Sequence, residues 1–193
     1  MKRIILLFTF TALLITSCIP SVHPLVTKDI EIQFDEVIGL YEVDGEMWKF
    51  SKNPNPDRSE YLLETGESKE EMKPRYLIHF AAFKDMVFAD FYPTTRADLE
   101  FGEPDYIAMH TFARAEMKEN RLSLRYSDMD ELKKLFREGK VRLKHERLEG
   151  GDILITASPK QLQKFISQHG SNNVFFGIDQ ELKRISPKIN AGE

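Results

Sequence analysis

The chain has 193 residues, and its 27 lysines and arginines against 31 aspartates and glutamates give a formal net charge of -4. Because the sequence shows no basic stripe and the balance is acidic, nucleic acid and anionic lipid surfaces are poor candidate partners, and we predict no nucleic-acid binding. The single cysteine, Cys18, excludes a fold held together by disulfides. The length after residue 17 suits one domain with one substantial core.

The N-terminus has the pattern of a secretory signal. Lys2 and Arg3 precede an apolar run over 4–15, and small residues follow just before Cys18. That run is shorter than the roughly 20 apolar residues that a membrane-spanning helix needs. The sequence therefore predicts a signal peptide over residues 1–17.

Residues 15–18 (ITSC) resemble the lipobox of bacterial lipoproteins. The resemblance implies cleavage before Cys18, a diacylglycerol on its sulfur and a further acyl chain, such as palmitate, on its new amino group. Two or three acyl chains hold a protein stably on a membrane, so the predicted partner is the membrane through a lipid anchor at Cys18. The alternative is an ordinary signal peptide followed by an incidental cysteine.

The next residues read as a tether. Pro20 and Pro24 favour an extended backbone of about 3 Å per residue. We therefore predict an acylated cysteine and tether over 18–29, a folded domain over 30–180 and a frayed tail over 181–193.

Short alternating apolar segments with turn residues between them dominate the predicted domain. Regularly spaced strands of this kind predict a mainly β, antiparallel barrel. The predicted strands are 30–34, 38–43, 46–50, 59–64, 75–83, 86–92, 106–118, 121–126, 141–147 and 152–156.

Two helices are predicted within this pattern, near 128–138 and 159–169. Asp128 and Glu131 have capping-box spacing at the start of the first helix. Ser158, Pro159 and Gln161 are an N-cap, a first-turn proline and a capping-box partner for the second. The predicted fold is thus an antiparallel barrel with one inserted short helix and one C-terminal helix.

Hairpin turns predict which side chains share a face of the sheet. A two-residue turn at Asp44-Gly45 pairs Tyr41 with Trp48. A turn at 84–85 pairs Ala81 with Phe88 and His79 with Asp90, and both faces of that hairpin are apolar. A turn at 119–120 pairs Ala115 with Leu124 and makes His110 point away from the barrel interior.

His79 opposite Asp90 in an apolar setting admits three interpretations: a satisfied structural pair, a ligand contact and a catalytic dyad. No nucleophile motif is present, so an enzyme is the third choice after a binding protein and an interaction module. The histidines are isolated in sequence, and no glycine-rich phosphate loop occurs, so we predict no metal and no cofactor.

Two family resemblances concern the fold and the cellular location. Gly39-Leu40-Tyr41, at the start of a strand meander followed by a helix, resembles lipocalins, although that family usually has Trp where Tyr41 stands. The stretches SCIPSVHPL, GLYEVDGEMWKF, FADFYP, HTFARAE and ITASPKQLQKFI are similar to a group of uncharacterised envelope lipoproteins of Gram-negative bacteria. This second resemblance implies an outer-membrane location, and the residues after Cys18 favour the periplasmic face.

The first functional hypothesis is a lipocalin-like barrel that binds or carries a small apolar ligand in its lumen. Its candidate lumen-facing, ligand-binding residues are Tyr41, Trp48, His79, Phe88 and Asp90. The alternative is a filled barrel that serves as a structural or interaction module and contacts an envelope protein partner through its loops.

Overall fold

The computed structural model describes residues 19–94 and 108–185. The predicted signal peptide, the lipidation site Cys18 and the last eight residues of the predicted tail lie outside the described residues. The strands are β1 (Glu31–Ile32), β2 (Gly39–Val43), β3 (Glu46–Lys52), β4 (Tyr61–Gly66), β5 (Lys73–Phe83), β6 (Met86–Pro93), β7 (Thr111–Lys118), β8 (Arg121–Tyr126), β9 (His145–Arg147), β10 (Ile153–Ile155) and β11 (Ile178–Arg184). The α-helices are α1 (Met129–Arg137) and α2 (Pro159–His169).

Eight of these strands form a closed antiparallel barrel. From β2 to β8 each strand pairs with the next one along the chain, and β11 pairs with both β8 and β2 to complete the circle. Between β8 and β11 the chain forms α1, the β9–β10 pair and α2, which we call the insertion. The predicted mainly β, antiparallel barrel with two helices is confirmed, although α2 is followed by a further strand.

The hairpin registers that the turns predict are confirmed. Tyr41 pairs with Trp48, His79 with Asp90 and Ala115 with Leu124. Asp44 and Gly45 have φ angles of 50° and 86°, the left-handed conformation whose twist matches that of the flanking strands.

Both helices begin where their capping residues predict. The Asp128 carboxylate accepts hydrogen bonds from the backbone N–H groups of Asp130 and Glu131 at 2.8 and 3.1 Å. The Ser158 backbone N–H donates to Oε1 of Gln161 at 2.9 Å. Each cap satisfies backbone or side-chain groups that a helix N-terminus otherwise leaves unpaired.

Strand β11 was not predicted, and the domain boundary at residue 180 is wrong because this strand continues to Arg184. Its sequence is mostly polar, and Leu182 is its only buried residue. The predicted tail over 181–193 is therefore wrong for residues 181–184.

The extended tether predicted over 18–29 is wrong for residues 19–26. Residues 19–26, which we call the strap, pack on the outside of the barrel wall. Ile19, Leu25 and Val26 leave 6%, 0% and 6% of their surface exposed. Their apolar side chains are buried together with the insertion, and this burial stabilises the strap against detachment.

Two apolar clusters lie on opposite faces of the barrel wall. The lumen cluster fills the barrel interior and includes Tyr41, Phe50, Tyr61, Leu63, Ile78, Phe80, Ala89, Phe91, Ala113, Leu122, Leu124 and Leu182. The outer cluster joins the wall to the strap and the insertion and includes Ile19, Leu25, Phe83, Phe88, Leu132, Leu143, Ile153, Leu162, Ile166 and Phe176.

Candidate functional site

The five predicted ligand-binding residues are divided between the two faces of the wall. Tyr41 is fully buried in the lumen cluster, and Trp48 packs against that cluster. Phe88 is fully buried in the outer cluster, and His79 and Asp90 alternate with lumen residues on their strands. The lumen-facing placement is thus correct for Tyr41 and Trp48 and wrong for His79, Phe88 and Asp90. Their role in ligand binding stays a prediction.

The predicted His79–Asp90 side-chain pair is wrong although the two residues are in register. Nδ1 of His79 lies 2.6 Å from Oε1 of Glu31, a residue of the neighbouring strand β1. Nδ1 of His110 lies 2.8 Å from Oδ1 of Asp90. His79 and Asp90 therefore each bond to a residue from outside the hairpin rather than to each other.

The Asp90 carboxylate is the centre of a clasp that holds the strap. It is fully buried, and its Oδ2 accepts hydrogen bonds from the backbone N–H groups of Leu25 and Val26 at 2.8 and 3.0 Å. Its Oδ1 takes the bond from His110. A buried carboxylate with three donors is well satisfied, whereas an unpaired one would cost several kcal/mol. The buried Asp90 carboxylate thus attaches the strap to the barrel wall.

The strap also joins the barrel to the insertion. Ser21 bridges to His110 of the barrel side and to Ile155 of β10. The Gln163 side chain on α2 donates to the carbonyl oxygen of Leu25 at 3.2 Å. The strap is therefore the middle layer between the barrel wall and the insertion.

One mouth of the barrel is covered by residues 34–37. The Tyr41 hydroxyl donates to the carbonyl oxygen of Val37 at 2.8 Å, and Nη2 of Arg184 donates to the Tyr41 hydroxyl at 2.7 Å and to the carbonyl oxygen of Glu36. Burial raises the pKa of Tyr41, although the Arg184 guanidinium opposes that effect.

A second tyrosine supports the same cover. The Tyr61 hydroxyl donates to Oδ1 of Asp35 at 2.6 Å and accepts from the Phe34 backbone N–H at 2.8 Å. Burial, and then the hydrogen bond to Asp35, raise the pKa of Tyr61 well above its usual value.

The barrel lumen is filled by its own side chains over the described residues. A void large enough for a ligand would leave accessible surface on the side chains around it. Instead, Phe91 is 3% exposed, and eight other large lumen side chains are at most 1% exposed: Tyr41, Phe50, Tyr61, Leu63, Ile78, Phe80, Leu122 and Leu124. Their packing resembles a protein core rather than a binding pocket.

A cavity of about 20 Å³ lies in the outer cluster, between the strap, the barrel wall and the helices. Ile19, Phe112, Leu132 and Phe165 contribute to its walls. A ligand pocket typically measures about 300 Å³ or more, so this cavity has room for about one water molecule and is too small for such a ligand.

Two kinds of feature are absent from the described residues. Within 19–94 and 108–185, no three histidine, cysteine or acidic residues lie close enough together to hold a metal ion. In the same residues, no helix has the length and apolar character needed to cross a bilayer.

The insertion presents a group of exposed cations that the sequence-based predictions missed. We define the basic surface as Arg137, Arg142, Lys144 and Arg147, all of which are exposed. The signal was present in the sequence, because residues 133–147 contain seven lysines or arginines and two glutamates. The net negative charge of the whole chain did not indicate this local excess of positive charge.

Comparison with known proteins does not assign the chain to a family: no family model matches it, and no curated protein or solved structure is significantly similar to it. The resemblances to lipocalins and to envelope lipoproteins therefore stay predictions.

Proposed function

We propose that this chain is a lipid-anchored envelope protein, held by Cys18 in the outer membrane and facing the periplasm, whose barrel is a filled structural module that acts through its surface. The lipobox-like ITSC sequence supports the anchor. The fully buried lumen side chains support the filled module over the ligand carrier.

The packing of the lumen is the observation that favours the filled module over the ligand carrier. Phe50 and Phe80 are each 1% exposed, and Tyr41 is fully buried. The rings of Tyr41 and Phe50 pack edge to face with centroids 5.5 Å apart. A small apolar ligand would have to displace these contacts, each aromatic pair contributing about 0.5–1.5 kcal/mol beyond its buried area.

The packed strap supports an anchor that acts at short range. Ile19 follows Cys18 directly and is only 6% exposed within the outer cluster. Acyl chains on Cys18 would therefore hold the folded domain close against the bilayer, without the spacer that a free tether would provide.

The anchor is tested by Cys18→Ser in the full-length protein, expressed in a Gram-negative host. We expect loss of acylation, measured by mass spectrometry, and loss of the protein from the membrane fraction. Ser17→Ala is the matched control, because it keeps a small residue before the cleavage site and should leave acylation intact. Unchanged membrane fractionation of the Cys18→Ser variant would contradict the anchor.

The filled barrel is tested by extracting the purified protein and searching for bound apolar molecules by mass spectrometry. We expect no such molecule at a stoichiometric level once detergent and co-purifying membrane lipid are accounted for. A single apolar species at one copy per chain would overturn this proposal and restore the carrier hypothesis.

A further inference from the structure

The cations of the insertion are arranged on its outer surface by an alternating burial pattern. Val141 and Leu143 are buried in the outer cluster, whereas Arg142 and Lys144 between and after them are exposed. Because successive side chains of an extended segment point to opposite sides, the apolar residues hold the segment in place while the cations face outward.

Most of the charge of the basic surface is left without an acidic partner, although Arg137 interacts electrostatically with Glu138. Other cations of the insertion have partners: Lys133 lies 2.9 Å from Asp152, and Lys140 lies 2.7 Å from Glu138. Among the ion pairs of the described residues, none involves Arg137, Arg142, Lys144 or Arg147. The surface therefore has an excess of positive charge, which Glu138, Glu146 and Glu149 beside it in the sequence reduce but do not cancel.

The pairing of the strap places the start of the folded domain beside this surface. The Ile155 N–H donates to the carbonyl oxygen of Pro20 at 2.9 Å, and the Val22 N–H donates to that of Ile155 at 2.9 Å, so the strap runs parallel to β10. Ile19 is consequently level with Ile153, which pairs with Arg147 on β9. Cys18, the proposed anchor, precedes Ile19 directly in the sequence, and Arg147, the last member of the basic surface, pairs with Ile153 at that end of the small sheet.

The apolar side chain of Leu148 is exposed at the end of the small sheet where β9 and β10 are connected. The turn that connects β9 to β10 begins at Leu148, which is 42% exposed. The Leu148 N–H donates to the carbonyl oxygen of Asp152 at 2.8 Å, which holds this turn closed. A lipid surface accepts an apolar tip together with cations, because headgroups bind the cations while the acyl boundary receives the side chain.

We propose that the basic surface docks on the anionic phospholipid headgroups of the bilayer that carries the anchor, with Leu148 at the lipid boundary. This inference rests on the proposed function, because the acyl chains on Cys18 bring the surface to the membrane. It reverses the expectation from net charge that anionic lipid is a poor partner. Each lysine or arginine near an anionic surface changes the docking equilibrium by about fivefold.

The test uses the mature acylated protein reconstituted in vesicles of phosphatidylcholine, with or without about a third phosphatidylglycerol. Leu148→Cys provides a thiol for a fluorescent label, since the native sulfur is acylated. Quenching by a nitroxide on the lipid headgroup reports whether position 148 is docked. We expect strong quenching in the anionic vesicles and weak quenching in phosphatidylcholine alone.

The discriminating variant is Arg142→Glu with Lys144→Glu, for which the docked-to-undocked ratio should fall by at least about 25-fold, fivefold for each cation removed. The matched control is Lys69→Glu with Lys183→Glu, which changes two exposed cations of the barrel and should leave quenching unchanged. Circular dichroism confirms that each variant is folded.

Vesicle flotation separates the two levels of the proposal. If the labelled protein floats with the vesicles but its label is quenched equally with both lipids, or equally in both variants, the docking inference is wrong and the anchor stands. If the protein does not float at all, the anchor is wrong and the docking inference fails with it.

Discussion

The carboxylate of Asp90 and the imidazole of His110 meet on the outer face of the barrel, with 2.8 Å between Oδ1 and Nδ1. The same carboxylate accepts backbone hydrogen bonds from Leu25 and Val26, so one buried side chain of β6 joins the strap to the residue that precedes β7. The strap follows Cys18, the proposed anchor point, directly in the sequence. Under that proposal, the stability of the clasp determines how closely the domain is held to the membrane.

Asp90→Asn should weaken the clasp. The amide nitrogen of asparagine cannot accept a hydrogen bond, so at least one donor loses its partner in a buried site. We expect the free energy of unfolding to fall by about 2–4 kcal/mol, measured by urea denaturation. Backbone hydrogen exchange at Leu25 and Val26 should accelerate more than exchange in the barrel strands.

The control for this prediction is Asp57→Asn in the exposed loop between β3 and β4, which should change stability by less than about 0.5 kcal/mol. If Asp90→Asn changed the free energy of unfolding as little as the control does, the clasp would not hold the strap. The same would follow if the amides of Leu25 and Val26 kept their protection from hydrogen exchange.

Phe80→Ala should create the lumen cavity that the natural barrel lacks. The Phe80 ring lies 5.3 Å from that of Tyr61 and 5.1 Å from that of Phe34, measured between centroids. Its removal should lower the free energy of unfolding by about 3–5 kcal/mol. An apolar cavity of this kind binds benzene, so benzene should raise the melting temperature of the variant but not of the natural protein.

Phe80→Leu is the conservative comparison, because it keeps most of the volume and should show little benzene-dependent stabilisation. A natural protein that gained as much stability from benzene as Phe80→Ala would contradict a filled lumen.

Local sequence signals predicted the barrel well, because three of its hairpins (β2–β3, β5–β6 and β7–β8) have turns of only two residues. Asp44-Gly45 determines the register of Tyr41 with Trp48 through two residues of known conformational preference. Strand β11 lacks such a signal. It follows the insertion, and its one buried residue, Leu182, gives too little apolar alternation to distinguish a strand from a polar tail.

The side-chain partners at the candidate site could not be predicted in the same way. The hairpin of β5 and β6 is apolar on both faces, so its sequence does not indicate which face forms the lumen. Asp90 is bonded to Leu25, which is 65 residues earlier in the chain. Such a contact depends on where the strap packs, and this is decided by the outer cluster as a whole rather than by any local pattern.

Alkaline pH should destabilise the barrel through its buried tyrosines. The pKa of Tyr61 and that of Tyr41 are raised in the folded state, chiefly by burial. Above about pH 10 the unfolded chain loses these protons while the folded chain retains them, so unfolding becomes more favourable as pH rises. The stability that is fully present below about pH 10 should fall by up to about 1.4 kcal/mol per pH unit for each tyrosine.

Urea denaturation at several pH values between about 9 and 11 measures this slope. Tyr61→Phe should remove the larger part of it, because the pKa of Tyr61 is raised further than that of Tyr41, whose smaller contribution remains. The comparison uses slopes rather than absolute stabilities, since the loss of the hydroxyl also removes the hydrogen bond to Asp35. An unchanged slope in Tyr61→Phe would contradict the proposed role of its ionisation.

Gly170→Ala should disturb the contact between the end of α2 and Phe88 of the barrel wall. A Cβ atom at this position would lie 2.6 Å from the carbonyl oxygen of Ile166 and 2.9 Å from Cζ of Phe88. Both distances are too short, so the helix end or the ring must shift. We expect a loss of about 1–3 kcal/mol in the free energy of unfolding, whereas Ser171→Ala at the exposed neighbouring position should cost less than about 0.5 kcal/mol.

A double-mutant cycle with Phe88→Leu tests whether the contact with the barrel accounts for this loss. The smaller side chain relieves the clash with Phe88, but the clash with the Ile166 carbonyl remains. Gly170→Ala should therefore cost about 0.5–1.5 kcal/mol less in the Phe88→Leu background than in the natural one. Strict additivity of the two changes would mean that the strain lies within α2 alone, and that Gly170 has no part in seating the insertion on the barrel.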